Sequence, residues 1–178
     1  MNDLQGGHME ILISEQDILA KVTELGQNIS RDYDGKEVIL ICVLKGAVMF
    51  TVDLAKHINI PVKLDFMAVS SYGSGKVSSG VVKIIKDLDD SIEGKHVIIV
   101  EDIIDSGQTL NYLLSVLWGR KPASMKVCAL LDKPDRRQAN VNADYIGFTI
   151  PDEFIIGYGL DYDQLYRNLP YVAMLKED

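Results

Sequence analysis

Two stretches of this chain carry no polar interruption: VILICVL over Val38–Leu44, and VIIV over 97–100. A strand with one wet face alternates apolar and polar residues, so an unbroken β-branched run reads as a strand covered on both faces. Strands of that kind belong to parallel sheets, in which the crossover helices supply the cover. Each run is followed by a tight turn and then a helical pattern. Lys45-Gly46-Ala47 leads into a helix through about residue 56, and Ser106-Gly107-Gln108-Thr109 leads into Leu110, Leu113, Leu114 and Leu117. Repeated with right-handed crossovers, such units build an α/β fold around a central, mainly parallel sheet, with ligands at the carboxyl ends of the strands.

The remaining segments fit around that frame. Ser14-Glu15-Gln16-Asp17 has the form of a capping box with Asp in place of the longer Glu or Gln. Ile18, Val22, Leu25 and Ile29 then mark one helix face, and Asp34-Gly35 ends it. Further strands are expected over 62–70, 81–86, 125–131, 145–150 and 171–175, with 132–144 as loop. Residues 70–80, SSYGSGKVSSG, hold three glycines and five serines without apolar periodicity. A hairpin turn takes ~2–5 residues, so this connection is long enough to be a lid. A G-x-G-x-x-G reading fails, because Gly73 and Gly75 are followed by Ser78.

At 178 residues, 47% hydrophobic and 25% charged, the chain has the composition of one ordinary globular domain, 1–178. Its net charge of −8 argues against nucleic acid as a partner, and means that an anionic ligand must be met by local positive groups or a metal. Cys42 and Cys128 lie inside apolar runs and read as core thiols of a reducing compartment. No run reaches the ~18 apolar residues of a membrane span. Neither a membrane nor a secretory leader is indicated, and cytoplasm is the expected location. Gly6-Gly7-His8-Met9 reads as a tag remnant or as native chain; residues 1–8 are expected to be disordered or tag-derived.

The chemistry concentrates in VIIVEDIIDSGQT, residues 97–109. A strand, then Glu101, Asp102 and Asp105, then a small-residue turn into a helix N-terminus, is a place for an anion: free backbone N–H groups and the positive end of the helix dipole face it. Carboxylates repel phosphate, so the ligand must also carry hydroxyls or a divalent cation for the acids to meet. A P-loop reading fails, since no Gly-Lys pair is followed by Ser or Thr. An EF-hand reading fails at Ile103 and Ile104. Solvated acids and a plain helix cap remain the bland alternative.

This motif resembles the 5-phosphoribosyl 1-diphosphate (PRPP) signature of the type I phosphoribosyltransferases. Over residues 12–175, with VLKGA, SSYG, LDKP and FIIGYGLDY in order, the chain is similar to the bacterial hypoxanthine-guanine branch of that family. The resemblance implies a small hood built from the N- and C-terminal segments over the sheet. It also implies transfer of the phosphoribosyl group of PRPP to purine N9 with Mg2+, giving IMP or GMP and pyrophosphate. Matched residue by residue, Ser106, Gly107, Gln108 and Thr109, beside Asp105, are implied to cradle the 5′-phosphate. Glu101 and Asp102 would face the ribose hydroxyls, and with Asp161 the metal. Lys45, Gly46 and Arg167 would meet pyrophosphate, and the family has a cis peptide at the position of Leu44–Lys45. Lys133, Phe154, Ile155 and Asp161 would bind the purine, and Ser71 and Tyr72 would belong to the closing lid.

Physical checks support these roles. The resemblance also implies that Asp105 faces purine N7 as general base; an ordinary aspartate, near pKa ~3.9, is a weak base, but N7–H becomes strongly acidic as the N9–C bond forms, so a weak base suffices late in the reaction. The Lys133 ammonium offers only donors, which match a 6-oxo group and mismatch a 6-amino group. Alternatives stay open: Asp105 as a helix N-cap, Phe154 as plain core, Lys45 as a solvated lysine, and Tyr145, Phe148, Phe50 and Leu54 as core or interface. His8, His57 and His96 have no metal spacing. A PRPP-sensing regulator would lack Asp105, Lys133 or the lid residues, all present here; a xanthine- or adenine-specific relative is the other alternative. Family precedent favours a homodimer or homotetramer.

Overall fold

Alternate residues of the central strands feed two separate cores. In β2 (Val38–Leu44), Val38 and Leu40 enter one core, and Ile39, Ile41 and Val43 enter the other. β5 (His96–Ile104) divides the same way, Ile98 and Val100 against Val97 and Ile99. This two-residue period, with both faces covered, is why the runs are apolar throughout. The first core is closed by α1 (Glu15–Asp32) through Ile18, Val22, Leu25 and Ile29, and by α2 (Val48–Lys56) through Phe50 and Leu54. The second is closed by α3 (Gln108–Trp118) through Leu110, Leu113 and Leu117.

This is a computed structural model, and it describes residues 8–71 and 82–176. The other elements are β1 (His8–Ile13), β3 (Val62–Ser71), β4 (Val82–Lys86), β6 (Ser124–Asp132), a single 3-10 turn at Pro134–Arg136, β7 (Tyr145–Thr149), β8 (Ile155–Ile156) and β9 (Val172–Lys176). The main sheet runs β4-β3-β2-β5-β6-β7, parallel except for β4. Its order reverses between β2 and β5. The chain leaves β2 towards one edge and leaves β5 towards the other, so the loops after these two strands part and open a crevice. A second, antiparallel sheet, β1-β9-β8, joins the two chain ends as the expected hood.

Local expectations hold with informative differences. Ser14 caps α1, its Oγ accepting from the Asp17 N–H at 3.1 Å. The shorter Asp17 takes the Ser14 hydroxyl at 2.6 Å, where a longer Glu reaches back to the cap backbone. β5 is longer than the four-residue run suggested. Its pairing with β6 continues through Glu101↔Ala129 to Ile104↔Asp132, whereas pairing with β2 stops at Cys42↔Val100. From Glu101 onward β5 therefore has one strand neighbour, and both of its acids lie in this singly paired part. Residues 134–136 add a turn to the expected loop. Phe50, Leu54 and Tyr145 are core, with Phe148 packed against it. Cys42 and Cys128 are buried free thiols. His57 and His96 bond the Asp53 carbonyl and the Ser124 hydroxyl, away from the crevice. No helix among the described residues is long and apolar enough to cross a membrane.

The hood carries its own small core of Ile156, Tyr166 and Ala173. Among the described residues, the Tyr166 hydroxyl is the buried side-chain polar atom left without a partner. An unsatisfied buried hydroxyl costs ~1–3 kcal/mol. Tyr166→Phe is expected to raise stability by about 1 kcal/mol, seen as a higher urea midpoint at constant m-value. A lower midpoint would mean that the hydroxyl has a water partner.

Candidate active site

The crevice between the ends of β2 and β5 is lined from three directions. On the β5 side, Asp105 and Ser106 precede Gly107, which caps α3 in the left-handed region at φ 78°. No side chain caps this helix. Asp105 is two residues short of the cap, so the N-cap alternative for it is overturned. Gly107 has no room for a side chain either, since a Cβ would lie 2.5 Å from Val141. The N–H groups of the first turn are left for an external acceptor; the Gln108 N–H makes only a long 3.4 Å contact with Ser106 Oγ. Thr109 is half-buried on the same turn.

This loop is held from behind by Arg137, a residue the sequence reading passed over. Its guanidinium donates to the carbonyls of Asp105 (3.2 Å), Ile104 (3.4 Å) and Val141 (2.6 Å), and pairs with Asp132. The Gln138 and Ala139 N–H groups donate to the Ser106 carbonyl, and Gln108 bonds Gln138.

On the β2 side, the Leu44–Lys45 peptide is cis. Gly46 lies hard against Asp102, whose Oδ2 would be 1.6 Å from a Cβ there. Gly159 of the hood approaches from above, its hypothetical Cβ 1.9 Å from the Gly46 carbonyl oxygen. That contact is backbone to backbone, and Gly159 has φ 103°. Gly159→Ala is therefore expected to destabilise the protein by ~1–3 kcal/mol through overpacking and backbone strain, read as a lower thermal midpoint. An unchanged midpoint would mean that the hood lifts freely from the β2 loop.

The same junction gathers the cations. Arg167 donates to the Gly159 carbonyl at 2.6 Å and pairs with Asp161 at 2.7 Å. Asp161 also accepts from the Gln164 N–H at 2.8 Å, and the Gln164 side chain accepts from Lys45 Nζ at 3.0 Å. Lys45 is exposed and reaches the hood through this one bond. Asp161 falls on the Arg167 side of the site.

Glu101 is 7% exposed. Loss of water, and then the charge of Asp102, push its carboxyl well above the usual range. Burial likewise pushes Asp102 up to about 6, against hydrogen bonds from the Ile103 N–H and its own N–H and the charge of Arg167. Two buried acids reluctant to ionise are relieved by a cation or by hydroxyl donors. No group of three or more His, Cys, Asp or Glu among the described residues is arranged to hold a metal unaided.

The third side comes from β6 and the hood. Lys133, 8% exposed, follows β6; its N–H donates to the Ile104 carbonyl and its Nζ to the Glu153 carbonyl at 2.5 Å. Asp152 stands 4.0 Å from Lys133 and 3.5 Å from Arg136, and Arg136 reaches Asp105 at 3.1 Å. Asp105 and Lys133 therefore face one crevice. Phe154 is 51% exposed, edge-on to Tyr162 at 5.7 Å, which overturns the core alternative and leaves its ring available for stacking. Ile155 is buried. Ser71 ends β3; Tyr72 and the rest of the proposed lid lie outside the described residues.

Arg136, Arg137, Asp152 and Gln164 were missed. The available signal was the dense charge of DKPDRR directly after a buried strand, in a chain that is otherwise acidic.

Comparison with known proteins bears on these elements together. The family model described as "Phosphoribosyl transferase domain" matches residues 8–163. A hypoxanthine-guanine phosphoribosyltransferase of Streptococcus thermophilus is 55% identical over 95% of this chain and 94% of its own length. One from Bacillus subtilis is 54% identical over 94% of this chain and 93% of its own. The crystal structure of a hypoxanthine phosphoribosyltransferase from Staphylococcus aureus is similar with a TM-score of 0.91, 50% identity, and coverage of 94% of this chain and 91% of that one.

Proposed function

The chain belongs to the phosphoribosyltransferase family, and from that premise we propose how its residues divide the work of the reaction. The enzyme is a purine-salvage transferase: it moves the 5-phosphoribosyl group of PRPP to a 6-oxopurine, hypoxanthine or guanine, and releases pyrophosphate. The family match spans most of 1–178, which we treat as one transferase domain.

Ser106, Gly107, Gln108 and Thr109 hold the 5′-phosphate at the uncapped start of α3. Glu101 and Asp102 receive the ribose hydroxyls along the open side of β5. Lys45, the Gly46 backbone and Arg167 meet the pyrophosphate; Lys45 and Arg167 exchange their contacts with Gln164 and Asp161 for phosphate oxygens. Lys133 donates to the purine 6-oxo group, Phe154 stacks on the ring, and Ile155 presents backbone to its edge. Asp161 lines the same hood segment. As the bond from N9 to the anomeric carbon forms and the bond to pyrophosphate breaks, Asp105 accepts the N7 proton. Carboxylates beside the sugar stabilise positive charge developing on the anomeric carbon. Ser71 and Tyr72 are assigned to a lid that keeps water from that carbon.

The donor set fits Mg2+. Glu101 and Asp102 are two acids raised by burial, Asp161 acts on Asp102, and no complete protein cage stands among the described residues. Mg2+ favours one or two carboxylates completed by substrate oxygens and water. When bound, it would neutralise the leaving pyrophosphate. A homodimer or homotetramer and a cytoplasmic setting belong to the same reading, and the unpaired thiols Cys42 and Cys128 agree with a reducing compartment.

The observation that supports this division is the crevice itself: Arg136 and Asp152 link Asp105 to Lys133, and Gly46, Asp102 and Arg167 meet beneath the hood. The test is a PRPP- and Mg2+-dependent assay across hypoxanthine, guanine, xanthine and adenine. Turnover of hypoxanthine or guanine, abolished by chelator, is expected. Turnover of adenine at a comparable rate, or none of any base, overturns the reading.

A further inference from the structure

We propose that Arg136 is the positioning residue for the transfer step: it fixes the carboxylate of Asp105, and is itself fixed by Asp152. The proposal rests on Asp105 being the base. Arg136 is the last residue of the 3-10 turn Pro134–Arg136. The next residue, Arg137, ties that turn to the main chain of Ile104 and Asp105. Consecutive arginines thus hold one aspartate in two ways, Arg137 by its backbone and Arg136 by its side chain.

Arg136 Nε donates to Asp105 Oδ1 at 3.1 Å. No other hydrogen bond to that carboxylate occurs among the described residues, so Oδ2 is left for a substrate proton. Aspartate χ2 is a broad, soft torsion. Without a partner on Oδ1, the accepting oxygen would sweep a wide arc, and orientation lost at a reacting atom is lost rate.

Asp152 completes the device. Its Oδ2 is 3.5 Å from Arg136 Nη1 and its Oδ1 is 4.0 Å from Lys133 Nζ. The string Asp105–Arg136–Asp152–Lys133 alternates in charge and joins the group proposed to take the N7 proton to the group proposed to bond O6. N7 and O6 lie side by side on one purine edge. The string sets the spacing of the two groups that read that edge.

Arg136 and Asp105 are both about half exposed, with side-chain exposures of 52% and 46%. An exposed ion pair contributes ~0–1 kcal/mol to stability, so its removal leaves the fold intact, and the effect falls on rate. Lysine keeps the charge but lacks the planar fork that reaches Asp105 and Asp152 in two directions.

The experiment measures kcat, the KM for PRPP and the thermal midpoint for the full-length enzyme and for R136Q, R136K, D152N, D105N and the double variant D105N/R136Q. R136Q is expected to lower kcat ~10-fold, within the coupling seen between touching residues, with the KM for PRPP and the midpoint unchanged. D152N is expected to fall in the same direction by less, and R136K to recover part of the loss. Because Arg136 acts through Asp105, adding R136Q to D105N is expected to change kcat less than ~2-fold. R136Q with normal or raised kcat beside an impaired D105N overturns the proposal, as does a full multiplication of the two losses. Normal kcat in D105N overturns the base assignment instead, so the two failures are distinguishable.

Discussion

Asp105→Asn is expected to lower kcat by ~10²–10⁴, the usual range for loss of a general base, while PRPP affinity changes little. Asparagine has the same shape and keeps an amide oxygen for the Arg136 Nε to bond, so the neighbourhood at 3.1 Å is undisturbed. What disappears is the ability to accept a proton. The proposed 5′-phosphate cradle lies one to four residues further along, and Arg137 holds the loop through the Asp105 carbonyl, which the substitution leaves in place. The loss should therefore sit in kcat. Steady-state kinetics with hypoxanthine, together with PRPP binding measured without turnover, checks this. An equal loss in PRPP affinity would move Asp105 from proton transfer to substrate binding.

The second large effect is on specificity. Lys133→Gln is expected to narrow the preference for hypoxanthine over adenine by at least ~10², since a site built around a hydrogen bond rejects the mismatched analogue by far more than a shape filter does. Lys133 is nearly buried, and one of its three donors is taken by the Glu153 carbonyl at 2.5 Å. The remaining donors have only acceptors to offer themselves to. Glutamine carries an acceptor as well as donors, so it serves a 6-amino group and a 6-oxo group alike. The comparison is the ratio of kcat/KM for the two bases in each enzyme. A ratio that survives the substitution would place base selection elsewhere, in the backbone around Ile155.

The central strands and α1 were legible because their evidence is local. Val38–Leu44 was recovered to the residue from its unbroken apolar run. Ser14 was recovered from the cap pattern three residues ahead of Asp17. β5 was read too short for an equally local reason: Glu101 and Asp102 look like the end of a strand until its pairing with β6 is seen to carry on through them. The candidate residues of 101–109 came from spacing and from resemblance, and the structure gathers them around one crevice.

The sequence by itself determined the parallel, doubly covered sheet, because two-residue and helical periodicities are properties of neighbouring side chains. It also marked the stretches where charge and glycine gather. Only the tertiary structure decided which charge meets which. Arg136 finds Asp105 across 31 residues, and Lys45 finds Gln164 across 119. One lysine or arginine reads like another in a chain that has 18 of them, until the reversal of strand order between β2 and β5 brings some of them to a single opening. Periodicity is written in adjacent residues, whereas an ion pair is chosen by the closure of the chain, and that closure exists only once both cores have formed.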